Sequence, residues 1–239
     1  MAILNIEQLS NMVVNLRGEP TPSGQKTGTG TLVIYDNRIF ILTARHVAND
    51  ISVNGSIVVK GAGDLPVVIP MRRLIYNLEL NWFSHAEADI AAFELKPQRA
   101  STANVLQDRF IPIELFYNQK SAPSRDLHLT SLGFPLGLGI HGHFSPLTFE
   151  SRVSSGLLTL PRADTQTPQT FFALENPSVG GYSGCPVVDT SIYVAGSMMT
   201  TGGGTCIYGV MHGTICDDTG GKIAMVTPSF YVHELFANL

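Results

Sequence analysis

The chain has 239 residues, of which 44% are hydrophobic and 14% are charged, and its formal net charge is −4 at pH 7. This length is enough for a large apolar core in one or two domains. Without a basic tract there is no electrostatic support for nucleic-acid binding, and no apolar run approaches the ~20 residues that cross a bilayer, so we expect neither partner.

The chain opens without the features of a secretory signal. Residues 1–7 lack a basic start and a continuous apolar segment. A signal peptide requires both. The sequence therefore predicts a cytoplasmic location.

The first half of the chain predicts a series of short strands. Runs rich in Val, Ile and Thr alternate with turn-forming residues, a pattern typical of β-structure. Asp36-Asn37, between two apolar runs, is a hairpin signal. The predicted strands are residues 12–17, 28–35, 38–43, 56–60, 65–71, 74–78 and 90–95.

The second half continues the same pattern after a polar interruption. Residues 96–104 are polar, and residues 119–126 are the expected linker between an N-terminal unit, residues 1–118, and a C-terminal unit, residues 127–239. Further strands are predicted at residues 127–134, 147–160, 170–175, 186–189, 192–195, 205–214 and 222–226. A short helix is predicted at 229–236, just after a proline. Strands at this spacing without long helices predict an all-β barrel or sandwich.

The three cysteines do not suggest a disulfide framework, since their number is odd. Cys206 and Cys216 flank one predicted strand and would lie about 33 Å apart along it. That separation exceeds the ~7 Å limit for a bridge. Cys185 is expected to be a small buried residue.

Ser183 is the strongest candidate nucleophile. It lies in the run Gly180-Gly181-Tyr182-Ser183-Gly184-Cys185-Pro186. Glycine allows the dihedrals of a tight turn, which can expose the hydroxyl and aim backbone N–H groups beside it. A serine hydroxyl is a weak nucleophile until a base takes its proton, so the chain must also supply that base.

Two upstream residues fit the roles of base and orienting acid. His46 lies two residues after the end of the apolar run 40–44, and Asp89 heads the apolar run 90–95. Histidine titrates near neutral pH, at about 6.5, and a carboxylate can fix its tautomer. The order His46, Asp89, Ser183 is that of chymotrypsin-like proteases. Glu87 and Asp108 are weaker candidates because neither heads the matching run.

Five segments, in the same order, resemble those of trypsin-like serine proteases and in particular the HtrA-type branch. They are Gly28–Leu32 with Ile41–Val47, Ala88–Ala91, Leu132–Gly137, Ser151–Leu158 and Asn176–Pro186. The resemblance spans residues 12–236. Tyr182 departs from the aspartate that precedes the serine in trypsin, which implies that no zymogen cleavage of that kind occurs. We expect no PDZ-like domain after Leu239.

The resemblance implies an all-β fold of two six-stranded antiparallel β-barrels with a short C-terminal helix. His46 and Asp89 would come from the first barrel and Ser183 from the second, with the backbone N–H groups of Gly181 and Ser183 forming the oxyanion hole. The implied activity is a serine endopeptidase acting on proteins or peptides through an acyl-enzyme, without a cofactor or a metal. HtrA-type relatives often assemble as trimers, which leaves a homo-oligomer or an activating partner protein open.

The resemblance also places the primary specificity pocket. Its base would be Asn176, Pro177 and Ser178, and one wall would be Met211, His212 and Gly213. Pro177 stands where trypsin has its pocket aspartate, so we expect cleavage after a small or medium apolar residue. For His212 two further placements stay open, as a neighbour of Asp89 or as an ordinary strand histidine.

Other motifs favour structural interpretations. His141-Gly142-His143 lacks further ligands and is read as a loop, Gly28-Thr29-Gly30 as a strand passing close to other backbone, and Asp217-Asp218 as a solvated turn. The glycine-rich residues 197–204 form either a tolerated surface loop or a regulatory one. Two alternatives to the endopeptidase stay open, a catalytically silent binding module of the same fold and a viral or mobile-element processing protease.

Overall fold

The computed structural model describes residues 2–76, 79–162, 164–195, 198–216, 218 and 222–239. Two large β-sheets follow one another along the chain. The first ends at Pro112 and the second begins at His128, with the predicted linker 119–126 between them.

The first sheet has eight strands. In space they run β5-β4-β1-β2-β3-β7-β6, and the short β8 pairs with β2 in parallel. At the predicted hairpin turn between β2 and β3, Asp36 and Asn37 have φ values of 46° and 58°. The strands are β1 (Val13–Arg17), β2 (Thr27–Tyr35), β3 (Arg38–Thr43), β4 (Ser56–Lys60), β5 (Pro66–Pro70), β6 (Phe83–Ser84), β7 (Ala91–Glu94) and β8 (Ile111–Pro112).

Among the described residues, the second sheet has seven strands, and two further strands form a separate hairpin. The strands are β9 (His128–Gly133), β10 (Leu147–Arg152), β11 (Leu158–Pro161), β12 (Pro168–Leu174), β13 (Pro186–Asp189), β14 (Ile192–Ala195), β15 (Met198–Thr201), β16 (Cys206–Cys216) and β17 (Lys222–Pro228). The sheet order is β10-β9-β13-β16-β17-β12-β11, and β14 pairs only with β15. In the glycine-rich segment 197–204, Met198–Thr201 form strand β15 of this hairpin and residues 202–204 follow it. Ser197 and Asp217 lie outside the described residues.

The helices are short. They are α1 (Ile6–Ser10), α2 (Arg45–Asn49), α3 (Ala100–Leu106) and α4 (Phe230–Phe236), with single 3-10 turns at Ala62–Asp64, Met71–Arg73, Ile113–Leu115 and Pro135–Gly137. The predicted C-terminal helix is confirmed as α4, whose Phe236 ring packs against Tyr35 and Phe40 with centroids 5.3 and 5.0 Å apart. Within the described residues, no helix combines the length and apolar character needed to span a membrane.

The predicted all-β, chymotrypsin-like fold is confirmed, with differences in detail. The sheets hold eight and seven strands and are open, where closed six-stranded barrels were expected. The strand predicted at 147–160 is divided into β10 and β11, and α3 replaces part of the polar stretch 96–104. Residues 77 and 78 of the strand predicted at 74–78 lie outside the described part of the chain.

A continuous apolar cluster joins the two sheets. It contains Leu42 of β3, Leu132 of β9, Val210 of β16 and Phe236 of α4, all essentially inaccessible to solvent. Burial of this kind contributes roughly 25 cal/mol for each Å² of apolar surface removed from water. The shared core therefore fixes the two sheets against each other, and the candidate site lies where they meet. All three cysteines are free, and Cys185 is buried.

Candidate active site

His46 lies in the first turn of α2, directly after strand β3. Its backbone N–H, which the start of a helix leaves without an intrahelical acceptor, donates to Oδ1 of Asp89 at 2.9 Å. Its ring Nδ1 lies 2.7 Å from Oδ2 of the same carboxylate. Because both contacts end on one carboxylate, the main chain and the imidazole of His46 are oriented together.

Asp89 is fully buried just before strand β7. Its N–H donates to Oε1 of Gln169 at 2.7 Å, and Gln169 in turn donates to the hydroxyl of Thr227 at 2.9 Å. Burial alone would raise the pKa of Asp89, but hydrogen bonds from His212 and His46 outweigh it and hold that pKa below its usual range. Asp89 is therefore a carboxylate at neutral pH.

His212 places a second imidazole on the same carboxylate. Its Nδ1 lies 2.5 Å from Oδ2 of Asp89, and its ring meets that of His46 edge to face, with centroids 5.5 Å apart. The pairing of β16 with β17 shifts between Met211 and Gly213, so His212 is the extra residue of a β-bulge. A bulge re-aims the side chain that it carries. Of the two placements that the sequence left open, the structure shows His212 at Asp89.

The loop that carries Ser183 requires its glycines. Gly181 and Gly184 have φ values of 101° and 87°, where other residues are strained. A Cβ at Gly181 would lie 2.4 Å from the carbonyl oxygen of Phe134, and one at Gly184 would lie 2.1 Å from that of Thr29. Any side chain at either position would therefore displace the serine from its place between the sheets.

The hydroxyl of Ser183 donates to the carbonyl oxygen of His212 at 3.0 Å. In this structure, the described atoms of Ser183 and His46 form no hydrogen bond with each other. His212 thus contacts both ends of the predicted triad, Asp89 through its ring and Ser183 through its main chain. The structure brings His46 and Asp89 into direct contact and joins Ser183 to them through His212.

The predicted oxyanion donors are available. Thr29 holds the loop from behind, donating its N–H to the carbonyl of Ser183 at 2.9 Å and its hydroxyl to that of Gly181 at 2.7 Å. Among the described residues, no atom accepts a hydrogen bond from the N–H of Gly181 or of Ser183. Two unpaired N–H groups beside a serine are the donors that a developing oxyanion needs.

Two predicted pocket residues face the nucleophile loop or lie in it. A Cβ placed on Gly213 would lie 3.9 Å from Oγ of Ser183. The carbonyl of Ser178 accepts a 2.7 Å hydrogen bond from the hydroxyl of Thr214, a residue that the sequence analysis did not single out. This bond ties strand β16 to the nucleophile loop.

The remaining predicted pocket residues are either exposed or packed in the apolar core. Asn176 and Pro177 are exposed, and the side-chain amide of Asn176 donates to the carbonyl of Glu150 at 3.0 Å. Met211 is 2% exposed and packs in the apolar core of the second sheet. Their part in substrate binding stays a prediction.

Arg162 is a component that the sequence analysis missed. The residue is 1% exposed, and its Nη2 lies 3.4 Å from Oδ1 of Asp89. Its guanidinium also donates to both carboxylate oxygens of Asp164, at 2.9 and 2.5 Å, and to the carbonyl of Glu87 at 3.1 Å. In sequence, an arginine two residues before an aspartate after Pro161 has the pattern of an exposed turn, so no local signal marks it.

The environment of His46 favours its protonated form. Burial lowers the pKa of His46, but the hydrogen bond and negative charge of Asp89, with smaller contributions from Asp164 and Asp50, outweigh burial and raise that pKa above its usual 6.5. A base acts only when it is unprotonated. We therefore expect His46 to act as an effective base only when the pH exceeds this raised pKa.

One side-chain cluster in the described part of the chain has the composition of a metal site. His46, Asp89 and His212 each offer one ligand atom, all within 4.8 Å of one another. Both Nδ1 atoms already contact Asp89, and Arg162 places a positive charge on its other oxygen. A metal ion would have to displace the bonds that orient His46, so the arrangement fits proton transfer better.

Comparison with known proteins supports the fold. No protein-family profile and no curated protein matches the chain in sequence. Among solved structures, the active form of the Rv3671c protease from M. tuberculosis superposes with a TM-score of 0.61 at 18% identity, over 97% of this chain and 82% of the other. The HtrA-type protease AlgW, in a structure with a tripeptide, superposes with a TM-score of 0.57 at 15% identity, over 98% of this chain and 61% of the other.

A third structure with this fold is that of an inactivated protease paralogue. The scabies mite inactivated protease paralogue superposes with a TM-score of 0.60 at 14% identity, over 100% of this chain and 98% of the other. At such identities the likeness concerns the backbone, and it bears out the fold that the sequence motifs indicated. The chain has the fold of the trypsin-like serine proteases, a fold that HtrA-type proteases share.

Proposed function

We propose that this protein is a serine endopeptidase, with Ser183 as nucleophile, His46 as general base and Asp89 as the orienting acid. The observation that carries the proposal is the 2.7 Å contact between Nδ1 of His46 and a fully buried, ionised Asp89. It occurs beside a serine whose loop presents unpaired N–H groups at Gly181 and Ser183. A base, its orienter, a nucleophile and oxyanion donors are the parts that acyl transfer requires.

The reaction follows from these positions. Oγ of Ser183 attacks the peptide carbonyl carbon while Nε2 of His46 takes the hydroxyl proton, and the N–H groups of Gly181 and Ser183 stabilise the oxyanion. The leaving amine then receives the proton from His46, which produces the acyl-enzyme. A water molecule, deprotonated by His46, attacks the ester and regenerates the free hydroxyl. Asp89 stabilises the imidazolium in both halves.

Attack requires the hydroxyl of Ser183 to leave the carbonyl of His212 and turn toward His46. Rotation about the single χ1 bond of serine moves Oγ between staggered positions. The resting contact is therefore compatible with catalysis. It is also compatible with activation by substrate, by a homo-oligomer or by a partner protein. A homo-oligomer, an activating partner protein and a cytoplasmic location remain predictions from the sequence.

For specificity, we propose cleavage after a small or medium apolar residue. The hydroxyl of Thr214 donates to the carbonyl of Ser178 at the position where we place the pocket, and a side chain at this position would limit the depth of that pocket. Pro177 supplies no charge that would select a basic residue. A processing role in a virus or mobile element would use the same chemistry.

Replacing Thr214 with glycine should broaden this preference. The change removes the side chain that narrows the pocket, so kcat/KM for substrates with Leu or Phe at the acyl position should rise relative to Ala by about tenfold or more. A peptide library measured on both proteins tests this. Thr159→Gly, at an exposed position on β11, is the control. A strong wild-type preference for Lys, Arg or Glu would contradict the proposed pocket.

A second candidate is a catalytically silent binding module. The hydrogen bond from Ser183 to the carbonyl of His212, in place of one to His46, favours it. So does the likeness to an inactivated protease paralogue. The two candidates differ in whether the serine can act as a nucleophile.

Labelling with a fluorophosphonate probe separates them. An activated Ser183 should displace fluoride and form a phosphonyl ester, which intact-mass analysis and peptide mapping locate at that residue. Heat-denatured protein and Ser183→Ala are the unlabelled controls. Folded wild-type protein that stays unlabelled over hours would favour the binding module.

A further inference from the structure

Arg162 reaches the predicted catalytic carboxylate from the other half of the molecule. Asp89 precedes β7 of the first sheet, whereas Arg162 follows β11 of the second. The guanidinium is 1% exposed. A buried charge is stable only when it is paired and hydrogen-bonded, and here Asp164, Asp89 and the carbonyl of Glu87 share the role.

The two oxygens of Asp89 serve different partners. Oδ2 receives both imidazoles, that of His46 and that of His212. Oδ1 receives the backbone N–H of His46 and the guanidinium of Arg162. Both imidazoles contact Oδ2, so rotation of the Asp89 carboxylate group would strengthen the hydrogen bond to one of them and weaken the bond to the other. Arg162 opposes that rotation because it anchors the other oxygen.

We propose that Arg162 and Asp164 are positioning residues of the proposed active site, which hold the carboxylate of Asp89 toward His46 and tune the protonation of that imidazole by their opposite charges. This inference rests on the proposed function. Neither residue contacts a reacting atom, so their influence passes through Asp89 and through the local electrostatic field.

The two charges predict effects of opposite sign. The charged and titratable groups that face His46 are Asp89 and His212 in contact, Asp164 and Asp50 at longer range, and Arg162 across Asp89. Negative groups favour the imidazolium and positive groups oppose it. Removing the charge of Arg162 should therefore raise the pKa of His46, and removing that of Asp164 should lower it.

Activity profiles test the proposal first. In Arg162→Gln the acid limb of kcat/KM should move to higher pH, and kcat should fall about tenfold to a hundredfold, as misplaced catalytic groups cause, with KM little changed. In Asp164→Asn the same limb should move to lower pH. Arg162→Lys keeps the positive charge but lacks the planar guanidinium group. It should return the acid limb of kcat/KM toward its wild-type position. Arg38→Gln, which breaks the ion pair with Glu94 elsewhere on the first sheet, should not move it.

A second measurement keeps this inference separate from the proposed function. NMR titration of His46 in the Ser183→Ala background, with and without each substitution, reports the pKa whether or not the protein is a protease. Opposite shifts in Arg162→Gln and Asp164→Asn support the proposal, even if no peptide is cleaved. If Arg162→Gln fails to fold, the direction of the shift in Asp164→Asn decides, because Asp164 is partly exposed. Unchanged values, or shifts of the same sign, would overturn it.

Discussion

Replacing Ser183 with alanine should lower kcat by about 10⁶-fold, as loss of the nucleophile does in unrelated serine proteases. The substitution removes only Oγ and its bond to the carbonyl of His212. The glycines that shape the loop and the hydrogen bonds from Thr29 stay in place. The variant should therefore bind substrate and keep the wild-type melting temperature while turnover disappears.

Steady-state hydrolysis of a peptide pool, with calorimetry on both proteins, checks this result. Ser154→Ala, which removes an exposed hydroxyl from the second half of the chain, should keep full activity. Cleavage by Ser183→Ala at the wild-type rate would show that another group performs the chemistry, and the proposed function would then fail.

Replacing Asp89 with asparagine should lower kcat by about 10⁴-fold, the cost of the wrong histidine tautomer in a Ser-His-Asp triad. The contacts in this structure explain why the tautomer should change. Oδ1 accepts from the N–H of His46 and from Arg162, so the amide oxygen of an asparagine should take that side. Its NH₂ group would then face both Nδ1 atoms, and the ring proton of His46 would move to Nε2, where a base cannot carry it.

Proton NMR checks the tautomer directly. The downfield Nδ1–H signal of His46 should be present in wild-type protein and absent in Asp89→Asn. Asp108→Asn is the matched control, since Asp108 is exposed and has a left-handed φ of 58° that asparagine also adopts. Near-wild-type turnover by Asp89→Asn would assign the orienting role to another residue.

The same substitution should alter the response to acid. The pKa of Asp89 is lower in the folded protein than in the unfolded chain. Its contribution to stability is therefore complete above the unfolded value of about 3.9 and is lost as the pH falls through the folded one. Asp89→Asn should be less stable at neutral pH, and the difference should shrink below about pH 4.

Patterns local in the sequence predicted the fold well. The Asp36-Asn37 turn could be read because these residues tolerate the left-handed φ that a tight hairpin needs. The sequence also predicted the contact between His46 and Asp89, through the motif resemblance, although they are 43 residues apart. The expectation of closed barrels was wrong, since both sheets are open. Closure depends on pairing between distant edge strands, which no local pattern specifies.

The features that the sequence did not predict arise from tertiary contacts. Arg162 has the sequence context of a solvated turn, and only the packing of the two sheets buries it against Asp89. The bulge at His212 leaves no signal in the letters Val-Met-His-Gly. The hydrogen bond that the Ser183 hydroxyl makes depends on a single rotamer. In each case the determinant is a neighbour from a remote part of the chain.

The surroundings of Asp89 have a consequence for biosynthesis. The first half of the polypeptide supplies His46 and Asp89, but Gln169, Ser183 and His212 are translated 80 to 123 residues after Asp89. A ribosome-bound chain that has not yet reached β16 lacks the imidazole that contacts Asp89 and the carbonyl that accepts from Ser183. The proposed active site should therefore be complete only once the second half of the chain has been synthesised and folded.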